Sequence, residues 1–203
     1  MPIKMAQYGT KHGHAGGKLL AMLNNPQVTV AGVFEPDPER RRAVAEREPY
    51  RQIHWFRDKE EMLADPTIVA VASEGQNDES LAQTEEIVQA GKHVWYDKPA
   101  GEDWPGWQGV VSLVEAKGLY LQMGFMFRYH HGFRQMAEWA RGGMLGDIFS
   151  VRAHMSTWLT EAQRQVISVH QGGIFYDLAA HMLDQVVWLL GRAVGVSAFL
   201  RND

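Results

Sequence analysis

The sequence predicts an α/β fold: a Rossmann-type, doubly wound parallel sheet followed by an incomplete α+β domain with an open, mainly antiparallel sheet. Three observations predict it. Short apolar, β-branched runs alternate with helical stretches through the first part of the chain. A glycine-containing turn, Gly9-Thr10-Lys11-His12-Gly13-His14, separates the first strand from the first helix. After about Gly124 the pattern changes to a long run in which polar and apolar residues alternate. The expected domains are 1–123 and 124–203.

Ile3–Tyr8 reads as a strand stopped by Gly9, and His14–Leu23 as a helix ended by Asn24-Asn25-Pro26, because proline cannot continue it. Val28–Phe34 is almost wholly apolar, as a parallel strand covered on both faces should be. Pro38 opens a charged helix, Glu39–Glu48. Beyond Asp65-Pro66 come a strand (Ile68–Ala72), a helix closed by Gly91 (Ser80–Ala90) and a strand running into Asp97-Lys98-Pro99 (His93–Tyr96). A helix (Trp107–Ala116) and a fifth strand (Leu119–Met123) complete the first domain, with right-handed crossovers expected throughout. In the second domain a helix over Gly132–Arg141 leads to Ile148–Trp158. There Ile148, Ser150, Arg152, His154 and Ser156 share one face, the pattern of a half-buried antiparallel strand. A helix over Ile174–Leu190 stops at Gly191, and Val194–Leu200 begins another strand.

Composition narrows the function classes. The 203 residues include 20 Lys+Arg against 24 Asp+Glu, a net charge of −4, which disfavours a nucleic-acid binder. There is no cysteine, so disulfides, zinc–thiolate sites and thiol nucleophiles are excluded. No apolar run approaches the roughly 20 residues that span a bilayer, and no basic segment leads into an apolar core at the amino terminus. A cytoplasmic protein without membrane partners is expected.

Ligands of a doubly wound sheet sit beyond the carboxyl ends of its strands, so residues there carry the functional reading. The turn Gly9–His14 can bring backbone N–H groups to a dinucleotide pyrophosphate, although Lys11 stands where a second glycine is usual; a turn needed only for backbone geometry is the alternative. Glu35 ends the second strand, where a carboxylate can accept from adenosine ribose hydroxyls and repel a 2′-phosphate. That favours NAD, while Arg40 and Arg41 keep NADP open, and Glu35 could instead cap the following helix. Lys98 lies at the mouth of the sheet and can donate to a substrate oxygen. Asp177 and His181, four apart, share a helix face with Asp184 one turn on: either a carboxylate-oriented general base or a solvated face. Leu178, Met182, Val186 and Leu189 supply a separate apolar stripe. Nine histidines raise the question of a metal, but His12/His14 and His130/His131 sit on turns where rings rarely converge, and no third ligand is near in sequence; no metal site is expected.

These motifs, in order, resemble the glucose–fructose oxidoreductase/inositol dehydrogenase/rhizopine-catabolism (Gfo/Idh/MocA) family over essentially the whole chain. They are the glycine turn, Glu35, Ala90-Gly91-Lys92-His93-Val94 before Asp97-Lys98-Pro99, Arg128-Tyr129, Leu145-Gly146-Asp147 and the Gly172-Gly173…Asp177…His181 segment. The resemblance implies an NAD(P)-dependent oxidoreductase acting on a sugar, cyclitol or related polyol. Lys98, Asp177 and His181 are then catalytic. Gly9, Thr10, Lys11, His12, Gly13, His14, Glu35, Arg40, Asn77 and Lys98 hold the cofactor, and Arg128, Tyr129, His154, Trp158, Asp177 and His181 meet the substrate. Asp97 replaces the family's glutamate before the lysine, and the Thr-Pro that precedes the family's asparagine is absent before Asn77. For a full-length member, the resemblance also implies a homo-oligomer formed through the carboxyl-terminal sheet. Two other readings remain: a dinucleotide-binding regulatory module without turnover, and NAD-assisted glycoside hydrolysis or elimination.

Overall fold

The computed structural model describes residues 1–199, which form two compact units dividing after Gly124. In the first, five parallel strands lie in the order β2-β1-β3-β4-β5, with β1 Ile3–Tyr8, β2 Val28–Phe34, β3 Ala70–Ser73, β4 His93–Tyr96 and β5 Leu121–Met123. A single parallel bridge, Val33 to Trp55, adds a one-residue strand outside β2. Counting it, the order becomes the 3-2-1-4-5-6 of dinucleotide-binding sheets. The intervening helices are α1 Ala15–Leu23, α2 Pro38–Ala45, α3 Lys59–Ala64, α4 Ser80–Gln89 and α5 Trp104–Lys117.

Alternation along each strand sends side chains to two cores. Ala6, Tyr8, Val71, Val94 and Tyr96 pack against Ile87 and Val88 of α4 and Val110 and Val114 of α5. Val33 and Ala72 face Leu19 and Met22 of α1 and Val44 of α2. Fully burying side chains such as Leu19 and Ile87 contributes roughly 1.5–3 kcal/mol each, so both faces hold the sheet. The helix starts follow from their caps: Asp37 accepts from the Glu39 and Arg40 N–H groups, Asp58 from that of Glu61, and Asp103 from that of Gly106.

The register decides where the site lies. Phe34, Tyr8, Ser73, Tyr96 and Met123 are successive partners across the sheet. One residue further along each strand stand Glu35, Gly9, Glu74, Asp97 and Gly124, which form the carboxyl rim.

The second unit holds α6 His131–Arg141, α7 Glu161–Ser168 and α8 Ala180–Leu190. Thr160 and Gln163 form a capping box at the start of α7. Arg141 stacks over the Trp188 ring at 4.6 Å and donates to the Trp188 carbonyl at 3.2 Å, tying α6 to α8.

Two expectations are corrected here. Ile148–Trp158 is not a strand: it has no regular structure, and Phe149 and Trp158 are exposed. A strand is held by its ladder, and none of the described residues pairs with this segment. Residues 194–199 likewise form no strand, and Leu200 lies outside the described residues. The expected antiparallel sheet is therefore not present among them. The helix predicted over Ile174–Leu190 is present as one continuous helical run, with a π-helical stretch at Phe175–Ala179 before α8.

Candidate functional site

The turn after β1 is fixed by a close approach of backbone to backbone. Gly9 has φ +87°, and a Cβ there would lie 2.8 Å from the Glu74 carbonyl carbon and the Gly75 nitrogen, so only glycine fits. Thr10, buried, donates its hydroxyl to Glu35 Oε2 at 2.7 Å. Arg40 donates from Nη2 to the Thr10 carbonyl at 2.7 Å and from Nε to its hydroxyl at 3.1 Å. Glu35 Oε1 accepts the Asp37 N–H at 3.0 Å. A carboxylate has about four acceptor positions, so Glu35 retains capacity for further hydroxyls. It does not cap α2, whose cap is Asp37. Lys11 reaches away to Glu79 at 2.8 Å and Asp37 at 3.6 Å, and its bond to Glu79 raises its pKa.

Several features suit this turn to a dinucleotide pyrophosphate. Helix α1 begins with no side-chain cap and no acidic residue in its first turn. Nothing lies within 4 Å of the position a Gly13 Cβ would occupy, which leaves open space against the turn.

Beside the turn the rim is strongly charged. Asp97 Oδ2 lies 2.9 Å from His14 Nδ1 and 3.3 Å from both His12 Nδ1 and Lys18 Nζ, while Oδ1 accepts the Lys98 N–H at 2.8 Å. Burial works to raise the Asp97 pKa, but the His14 bond and the charges of Lys18 and the histidines outweigh it and hold the carboxyl well below the usual range. Burial lowers His12 to about 4, whereas the bond to Asp97 raises His14. Glu74, fully buried, is pushed up to about 7 by desolvation, against the pull of the paired Lys18 ammonium. Lys98 is buried at the same rim. Asn77 lies in the loop between β3 and α4, where its carbonyl accepts from the Ser80 hydroxyl at 3.4 Å.

Sequence reasoning missed the Lys18–Glu74 pair. Its only local signal is an acid directly after the apolar run of β3; Lys18 reads as an ordinary helix lysine. It also set His12 and His14 aside as non-converging. The structure turns both rings to one carboxylate oxygen, because the third group, Asp97, comes from the end of β4 and not from nearby sequence.

In the second unit His181 is buried, its ring 5.1 Å from Phe127 and edge-on to Phe125 at 6.4 Å. The most buried residues of α8 are thus His181 and Gln185, while Leu183, Val187 and Leu190 are exposed. His181 and Gln185 pack inward, and the predicted apolar stripe Leu178, Met182, Val186 and Leu189 is half-buried. Asp177 sits in the π-helical stretch, half-buried. The Arg128 guanidinium is committed to Asp184, with Nη2–Oδ1 at 2.7 Å and Nε–Oδ2 at 2.8 Å. Tyr129 is exposed, and His154 and Trp158 lie on the irregular segment.

Comparison with known proteins agrees with this architecture. Residues 4–125 match the oxidoreductase family with an NAD-binding Rossmann fold, and residues 133–203 match the Gfo/Idh/MocA carboxyl-terminal domain. The chain is 28% identical over 153 residues to the uncharacterized oxidoreductase YhhX of Escherichia coli, covering 75% of this chain and 44% of that protein. It is 26% identical over 141 residues to scyllo-inositol 2-dehydrogenase (NADP(+)) IolW of Bacillus subtilis, covering 68% and 39%. The apo scyllo-inositol dehydrogenase structure from Lactobacillus casei superimposes with a TM-score of 0.72 at 22% identity, over 94% of this chain and 55% of that one. The chain spans about half the length of the relatives it matches. Among the described residues no helix is long and apolar enough to cross a membrane. With an NAD-binding Rossmann unit followed by this carboxyl-terminal domain, the chain belongs to the Gfo/Idh/MocA oxidoreductase family.

Proposed function

We propose that this chain serves an NAD(P)-dependent oxidation or reduction at a hydroxyl-bearing carbon of a small sugar, cyclitol or related polyol. The observation that carries the reading is the rim itself: an open glycine turn, an acidic strand end with spare acceptor capacity and a buried lysine all stand at the carboxyl edge of one parallel sheet. Relatives named as inositol dehydrogenases support the substrate class.

When bound, the nicotinamide supplies the two-electron chemistry. The chain's own residues bind, orient and move protons. The Gly9–His14 turn offers backbone N–H groups to the pyrophosphate, and Glu35 accepts from the adenosine ribose hydroxyls. Its negative charge disfavours a 2′-phosphate, which makes NAD the preferred form. Lys98 donates to the reacting substrate oxygen and stabilises negative charge developing there. In the second unit, Asp177 and His181 are the candidates for holding substrate and for accepting or returning a proton.

The test is absorbance of the reduced nicotinamide across a panel of inositols and hexoses, for the chain and for Lys98→Met. Turnover reduced at least a hundredfold in the variant, with dinucleotide still bound, supports the assignment. Dinucleotide binding without turnover on any substrate identifies a binding module instead. Release of a glycosidic leaving group without net cofactor reduction identifies the elimination chemistry.

A further inference from the structure

We propose that His12, His14 and Asp97 form a binding site for a divalent transition-metal ion of the zinc or cobalt class. The proposal goes beyond the dinucleotide reading and does not depend on it.

Two imidazoles and one carboxylate are a recurrent set for such ions, and they leave further coordination positions open to water. Here one ligand atom from each residue lies within 4.8 Å of the other two. Metal–nitrogen and metal–oxygen bonds of about 2.0–2.2 Å at tetrahedral angles place ligand atoms about 3.3 Å apart. Asp97 Oδ2 is 3.3 Å from His12 Nδ1 and 2.9 Å from His14 Nδ1, so the carboxylate needs to yield only slightly for an ion to replace the contacts it now makes. The two rings are 4.9 Å apart and nearly perpendicular, at 71°, and so are not stacked face to face. His14 Nδ1 is hydrogen-bonded to Oδ2, while His12 Nδ1, 3.3 Å from the same oxygen, now accepts the His14 N–H at 3.2 Å, a contact that an ion would displace.

The support around the trio is already in place. Asp97 Oδ1 accepts the Lys98 N–H, which fixes the carboxylate and leaves Oδ2 for the ion. Glu74 Oε2 lies 3.7 Å from His12 Nδ1 and adds a second negative charge. The Lys18 ammonium, 3.3 Å from Asp97 Oδ2, opposes a cation, but it is also paired with Glu74. His14 is 54% exposed, which gives an ion a path from solvent to the buried carboxylate.

Cobalt(II) is the probe, added to the 203-residue chain without dinucleotide and followed by its visible absorption. The expected result is a saturable band at one equivalent per chain, with affinity at least tenfold weaker in His14→Ala and His14→Gln and unchanged in the His130→Ala/His131→Ala double variant. His14 is exposed enough for both single variants to fold, which circular dichroism verifies. No saturable band, a smaller loss in the His14 variants, or loss in the double variant would overturn the site. Because loading is read before dinucleotide is added, a chain that takes cobalt but no dinucleotide contradicts only the cofactor reading.

Discussion

Thr10 donates its hydroxyl to Glu35 Oε2 across 2.7 Å, which locks the glycine turn to the acidic end of β2 before any cofactor arrives. Preorganisation of this kind spares the ordering cost that binding otherwise carries. Glu35→Ala removes both the lock and the ribose acceptor. Loss of a charge-assisted hydrogen bond, about 1.5–3 kcal/mol, predicts NAD binding weaker by about tenfold or more, with NADP affected less because the repelling charge is also gone. Calorimetric titration of both dinucleotides measures the ratio.

Gly9→Ala should act on the fold itself. Its φ of +87° and the 2.8 Å approach to the Glu74–Gly75 backbone leave a Cβ no place. Strain of this kind costs on the order of 1–3 kcal/mol. Thermal denaturation is expected to show the loss without dinucleotide present.

Arg128 pairs bidentately with Asp184, whose side chain is 7% exposed against 42% for the arginine. A double-mutant cycle with Arg128→Met and Asp184→Asn should give a coupling of about 1–2 kcal/mol in stability, discounted for the exposed arginine. A coupling near zero would leave Arg128 among the substrate candidates.

The pH dependence of stability should carry a signature of Asp65. Its side chain accepts from the Thr67 hydroxyl and N–H and from Lys4, which lowers its pKa from 3.8 to about 2. A carboxyl depressed in the folded state contributes stability that is present above its unfolded pKa and lost as pH falls through the folded one. Between pH 4 and 2 the wild-type chain should therefore lose more stability than Asp65→Asn, as read by urea denaturation at stepped pH.

The first unit was legible because buried parallel strands are continuous apolar runs, and β1, β2 and β4 fall at the predicted residues. Helices α3 and α7 escaped notice: the first has only six residues, and the second carries its signal in one capping box. Ile148–Trp158 misled because alternation records which faces differ, not whether a neighbouring strand exists to complete the ladder. At the site, Gly9, Glu35 and Lys98 could be placed from strand ends alone. The Lys18–Glu74 pair and the meeting of His12, His14 and Asp97 could not, since they join separate segments only through the sheet register.

Gly13 offers the most direct test of the cofactor reading. Its missing Cβ faces open space, so Gly13→Val should fold normally yet fill the volume a pyrophosphate needs. Titration with reduced dinucleotide, followed by energy transfer from the chain's tryptophans, is predicted to saturate at one site for the wild type, with an affinity on the order of micromolar, and to vanish for Gly13→Val. Equal binding by the two folded chains, or none by the wild type, would contradict the account.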